Sequence, residues 1–147
     1  MSIGRIALFV SVLGWAFGAA FLAWPVELVA PVGIELPSAT ARTDVRAVYG
    51  GLQLGLAAFL AYCAASPART VVGLAATTAC IAGLAAGRFL GVLVDGECTR
   101  TTLVYLSIEA SSAAIAAAAL WSESRAKRAH QGAPSAPGAS QGGKHHA

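Results

Sequence analysis

Charge is the scarcest ingredient of this 147-residue chain. Charged residues make up 12 % of it, against about 25 % in a soluble domain. A surface so poor in charge cannot be kept wet, which excludes an ordinary soluble enzyme and a disordered protein. Cysteine is scarce as well. Cys63, Cys80 and Cys98 form no CxxC pair, and the first two lie inside apolar runs. That excludes a disulfide scaffold and argues against dithiol or zinc chemistry. Free structural thiols are the expectation. No histidine precedes His130, so no histidine-built metal site can form in or between the apolar stretches. No metal, no cofactor and no catalytic residue is expected.

Basic charge is confined to one end. The net charge is +3 and the pI about 9.0. Up to Trp121, Arg5, Arg42, Arg46, Arg69, Arg88 and Arg100 balance Glu27, Glu35, Asp44, Asp95, Glu97 and Glu109. The excess lies beyond, in Arg125, Lys127, Arg128 and Lys144 against Glu123. No basic face with interleaved aromatics exists, so nucleic acid is not an expected partner.

Apolar residues fill the space that charge leaves. They make up 56 % of the chain, and the mean hydropathy is +0.66. Four apolar stretches are spaced along it, over residues 4–24, 44–65, 70–94 and 101–121. About 20 helical residues cross the ~30 Å hydrocarbon layer, and in lipid the backbone must satisfy its own hydrogen bonds. The expected fold is therefore all-α: an integral membrane four-helix bundle with up-down topology over residues 1–121. A basic, then disordered tail is expected over 122–147, its end rich in Gly, Ser and Pro. His145 and His146 in that tail carry no assigned role. The first stretch could instead be a signal peptide. It is longer than the usual apolar core, however, and Trp24-Pro25 is a poor cleavage site, so an uncleaved helix is expected.

Between the first two helices lies a proline-rich segment with Pro25, Pro31 and Pro37 among Val26, Leu28, Val29, Val32, Ile34 and Leu36. It is too apolar for a free loop and too rich in proline for a span. It should lie at the membrane interface, with a short helical turn before Pro31. Arg5, Arg69 and the Arg125–Arg128 cluster fall on one side of a four-span chain. The positive-inside rule then places both termini in the cytoplasm of a multi-pass inner (plasma) membrane protein. Trp24 and Trp121 fall at opposite interfaces.

Two kinds of intramembrane residue stand out. Glycines recur at helical spacing: Gly83, Gly87 and Gly91 on the third helix, Gly51 and Gly55 on the second, Gly14 and Gly18 on the first. Such spacing lets helices approach closely, so these are read as packing residues. Charge inside a bilayer costs about 2.5–3.5 kcal/mol on insertion scales and is kept only where a partner or function offsets it. Arg88 lies seven residues before Asp95, and Glu109 nine residues after Arg100. The two helices are antiparallel, which puts both residues roughly 10–13 Å below the same surface. They should pair. Arg46, Tyr49 and Gln53 share a face at i, i+3 and i+7, while Tyr105 and Ser112 flank Glu109. Arg46, Tyr49, Gln53, Arg88, Asp95, Tyr105 and Glu109 thus outline a polar pocket open to the outside.

The run Arg42-Thr-Asp-Val-Arg-Ala-Val-Tyr-Gly-Gly-Leu-Gln-Leu-Gly55 carries a resemblance. With Gly87-Arg88, Val94-Asp95-Gly96 and Glu109, it resembles the small bacterial membrane proteins grouped as domain of unknown function 4345. That group is similar in size and span count to the DoxX-like membrane proteins. The resemblance covers residues 4–121 and implies a four-helix bundle. It matches Arg46, Tyr49, Gly50, Gly51, Arg88, Asp95 and Glu109 to motif positions and implies no activity. The residues support three functional readings. The pocket binds a membrane lipid, a small apolar molecule or a partner, whether a second copy or another membrane protein. Alternatively, Glu109 serves a small proton-coupled transporter. Thirdly, Arg88–Glu109 is a purely structural ion pair. The one enzymatic reading that the geometry allows is an isomerase using Glu109 and Tyr49 as acid and base.

Overall fold

The computed structural model describes residues 2–131, and every element within them is helical. Four helical stretches are long and apolar enough to span a membrane: Ile3–Ala23, Ala39–Ala64, Pro67–Asp95 and Arg100–Ala129. The chain is a multi-pass membrane protein of four spans. Their outward side chains are largely apolar and exposed, as in Leu13, Val72, Leu93 and Ile115, because the surrounding solvent is lipid rather than water.

The first span is two helices, α1 (Ile3–Ala16) and α2 (Gly18–Ala23). The break falls at Phe17, whose N–H reaches the Gly14 carbonyl at 3.3 Å. Trp24 then leaves the helical region at φ −124, ψ 58, because the ring of Pro25 crowds the residue before it. Pro25 opens α3 (Pro25–Val29), where a missing N–H costs nothing. This is the helical turn expected before Pro31, and a 3-10 turn (Ala30–Val32) continues it. Gly33 follows at φ +76, a conformation glycine adopts without strain.

The second span comprises α4 (Ala39–Val45), a π-helical segment (Arg46–Leu52) and α5 (Gln53–Ala64). Ser38 caps its start by accepting the Ala41 N–H at 3.0 Å. A 3-10 turn (Pro67–Arg69) leads into α6 (Thr70–Asp95), which Gly96 ends at φ +67. The last helix, α7 (Arg100–Gln131), passes Trp121 and continues for ten residues. Residues 122–131, expected as part of a tail, are therefore helical. At 1.5 Å per residue α7 is about 48 Å long, more than the hydrocarbon layer needs. The rest of the expected tail, with His145 and His146, lies outside the described residues.

Hydrogen bonds place alternate helix ends together. The Gly4 N–H donates to Glu123 Oε1 at 3.1 Å, Arg5 Nε to the Ala64 carbonyl at 3.0 Å, and Lys127 Nζ to the Ala68 carbonyl at 2.9 Å. The start of α1, the end of α5, the start of α6 and the end of α7 thus meet at one end, as up-down topology requires. The core sits at this end: Leu8, Leu60, Cys63, Ala64, Leu74 and Ala119 pack together, with Thr70 and Thr77 buried beside them. In lipid such a core is held by van der Waals packing and not by exclusion of water. At the other end, α2 stays packed against the π segment through buried Gly18 and Gly50. The third and fourth spans diverge from this pair. From Thr78 to Ile115 none of their residues is buried. The bundle is packed at one end and open at the other.

Candidate functional site

The divergence leaves a cavity of about 1080 Å³ between the two helix pairs. Its apolar wall comes from Trp15, Phe17 and Phe21 of the first span, Leu28 and Val29 of α3, Ile81 and Leu84 of α6, and Ile108 of α7. Its polar groups are Tyr49, Gln53, Arg88, Tyr105, Glu109 and Ser112, with Glu27 and Thr99, Thr101 and Thr102.

Arg88 and Glu109 pair across α6 and α7. Arg88 Nε donates to Glu109 Oε2 at 2.9 Å and Nη2 donates to Oε1 at 2.7 Å. This two-point contact matches the planar guanidinium to the carboxylate and is the strong form of such a bond. The pair is not sealed: the Arg88 side chain is 32 % exposed and that of Glu109 15 %. The guanidinium also stands 5.2 Å from the Tyr105 ring centre, within cation–π range. Opposite them, the Tyr49 ring lies 5.5 Å from that of Phe21, tilted by 31°. Phe21 meets Phe17 edge-on at 5.9 Å.

The run Arg46–Leu52 is the π-helical segment. It coincides with the Arg-Ala-Val-Tyr-Gly-Gly signature of the sequence. A π turn closes i→i+5 bonds, so it is wider than an α turn, and such segments recur at functional sites. Close approach holds it against the first span. A Cβ on Gly18 would fall 2.7 Å from Gln53 Cβ and 3.0 Å from the Gly50 carbonyl, and one on Gly50 would collide with the Leu22 side chain.

Of the expected pocket residues, Tyr49, Gln53, Arg88, Tyr105 and Glu109 line this one cavity, together with Ser112. Arg46 does not line it. Its Nε donates to the Leu22 carbonyl at 3.0 Å, so it ties the second span to the first. The widened π turn removes the i, i+3, i+7 register that would have put Arg46 beside Tyr49 and Gln53. Asp95 does not line it either; it is exposed at the very end of α6. The expected packing glycines also differ. A Cβ on Gly55, Gly83 or Gly87 would meet nothing within 4 Å, and on Gly51 or Gly91 only atoms of the same span at 3.9 Å. Of the glycines at helical spacing only Gly18 meets a close neighbour, and Gly14 too meets nothing within 4 Å; the other close approaches are at Gly4, Gly50 and Gly73. Spacing marks a face as smooth but does not say whether a neighbour lies on it.

Glu27 and the first-span aromatics lay outside the sequence-based pocket. The signal available was the gathering of Trp15, Phe17 and Phe21 in the second half of the first stretch. Among the described residues no group of three or more His, Cys, Asp or Glu is placed to hold a metal.

The match to the domain of unknown function (DUF4345) runs over residues 3–121. The chain belongs to the DUF4345 family. The matched region covers the first three spans, the fourth as far as Trp121 and both faces of the cavity, and it stops ten residues before α7 does. No curated protein and no solved structure matched the chain.

Proposed function

We propose that this protein binds a small amphipathic molecule, a lipid or another apolar ligand with a polar head, in the open-ended cavity. In this reading it sits in the bacterial inner (plasma) membrane with both termini in the cytoplasm. The packed, arginine-rich end then faces inward and the cavity outward. One observation carries the reading. A volume of about 1080 Å³ matches the upper range of small-molecule sites, and its wall combines apolar rings with a two-point intramembrane ion pair. Tyr49, Gln53 and Ser112 supply polar groups for a head, and Trp15, Leu84 and Ile108 supply contact for a chain.

A transporter using Glu109 is the weaker reading. The Arg88–Glu109 pair would have to open for the carboxylate to exchange a proton. The core at the packed end would also have to part to pass a substrate.

Mass spectrometry of the protein in native lipid discs tests the proposal, with Arg88→Ala and Glu109→Gln beside the wild type. A defined small molecule retained by the wild type and lost from both variants supports the site. A wild type that carries nothing, with both variants merely less stable, overturns it and leaves the pair a structural one.

A further inference from the structure

Among the described residues three charged side chains line the cavity: Glu27, Arg88 and Glu109. Arg88 is engaged by Glu109 on two of its nitrogens, so that pair presents no net charge. The contact leaves three of the five guanidinium N–H bonds free, but an anionic head that took them would lie beside the Glu109 carboxylate, whose like charge opposes it. Glu27 makes no ion pair with another described residue. It is exposed on α3, beside the apolar Leu28 and Val29. The unbalanced charge of the cavity is therefore negative.

The wall is also rich in rings. Five of the chain's eleven aromatic side chains line this one cavity. Ring faces attract cations through their quadrupole, most strongly where water is excluded. Tyr105 already holds a guanidinium at such a range. The tilted Phe21–Tyr49 pair presents a second aromatic surface to the same space.

We infer that the ligand of this site is an amphiphile with a cationic head, of the alkylammonium class. Glu27 and the Phe21–Tyr49 wall take the positive charge, and the apolar residues deeper in the cleft take the chain. The inference rests on the binding role proposed above and adds the charge of the ligand.

Three probes with one chain length and three heads decide it: dodecyltrimethylammonium, dodecanol and dodecanoate. They are titrated into the protein in phosphatidylcholine discs, with empty discs subtracted. Trp15 lines the cavity, so a Trp24→Phe, Trp121→Phe chain reports binding through a single indole. The ammonium is expected to bind about tenfold more tightly than dodecanol, and dodecanoate more weakly than either. Glu27→Gln should weaken the ammonium about threefold and leave dodecanol unchanged. Glu27→Lys should narrow or reverse the ranking of the two charged probes. Equal binding of all three, or a preference for dodecanoate, overturns the cationic class while leaving the binding site in place. No response to any probe overturns the site itself.

Discussion

Replacing glycine with alanine should have opposite signs at Gly18 and Gly87. At Gly18 the added methyl would lie 2.7 Å from Gln53 Cβ, 3.0 Å from the Gly50 carbonyl and 3.2 Å from the Tyr49 carbonyl. Carbon atoms rest about 3.5–4.0 Å apart, so the first span must retreat by roughly an ångström. Two of the three obstacles are backbone and cannot rotate away. Overpacking of this kind costs about 1–3 kcal/mol, and the better helix propensity of alanine returns up to about 1 kcal/mol. Gly18→Ala should therefore lose roughly 1–2 kcal/mol, and because Tyr49 and Gln53 sit at the contact, it should also weaken ligand retention. At Gly87 the methyl meets nothing within 4 Å, so only the propensity gain remains and stability should rise by up to about 1 kcal/mol. Reversible unfolding in mixed micelles, followed by helical circular dichroism, measures both. A neutral Gly18→Ala would refute the close approach of α2 to the π segment. A Gly87→Ala that destabilises as much as Gly18→Ala would refute the open face of α6, since some other surface must then lie against it.

The Arg88–Glu109 pair should be coupled. Arg88→Gln and Glu109→Gln each leave one unpaired charge at membrane depth in the open half of the bundle and should cost about 2–3 kcal/mol. The double variant should cost less than the sum by about 1–2 kcal/mol, and an additive cycle would show that the contact contributes nothing. Thr77 is fully buried and its Oγ1 has no hydrogen-bond partner among the described residues. Thr77→Val, which keeps the shape and removes the stranded hydroxyl, should raise stability by about 1 kcal/mol; a loss would mean that the hydroxyl is bonded. Arg46→Ala breaks the bond to the Leu22 carbonyl and should cost about 1 kcal/mol. It should leave ligand retention intact, and lost retention at unchanged stability would return Arg46 to the site.

Much of the candidate site was legible because charge in lipid is costly. Arg88 and Glu109 are the only charged residues well inside the last two apolar stretches, and counting residues from a shared surface was enough to pair them. Tyr105 and Ser112 followed from helical spacing around Glu109. The same counting failed for Arg46, because it assumes 3.6 residues per turn and the run Arg46–Leu52 is wound wider. It failed for Glu27 because the short helix that carries it lies between two spans, and its length leaves no periodicity from which to assign a face. It failed for the glycines because a smooth helix face looks the same in sequence whether or not another helix covers it.

The class of protein, the number of spans and the depth of the charged pair are legible in the residues alone. These depend on transfer from water to lipid and on distance along a helix, which are properties of residues and of one segment at a time. Helix packing settles that the bundle closes at one end and opens at the other. It alone decided which glycines are touched, and that Arg46 turns to Leu22 while Tyr49 and Gln53 face the cavity. Those outcomes depend on the angle between helix pairs. That angle is set by residues far apart in the chain that pack together, Leu8 with Leu60 and Leu74 at the closed end and Gly18 with Gly50 at the open one, and no local pattern encodes it.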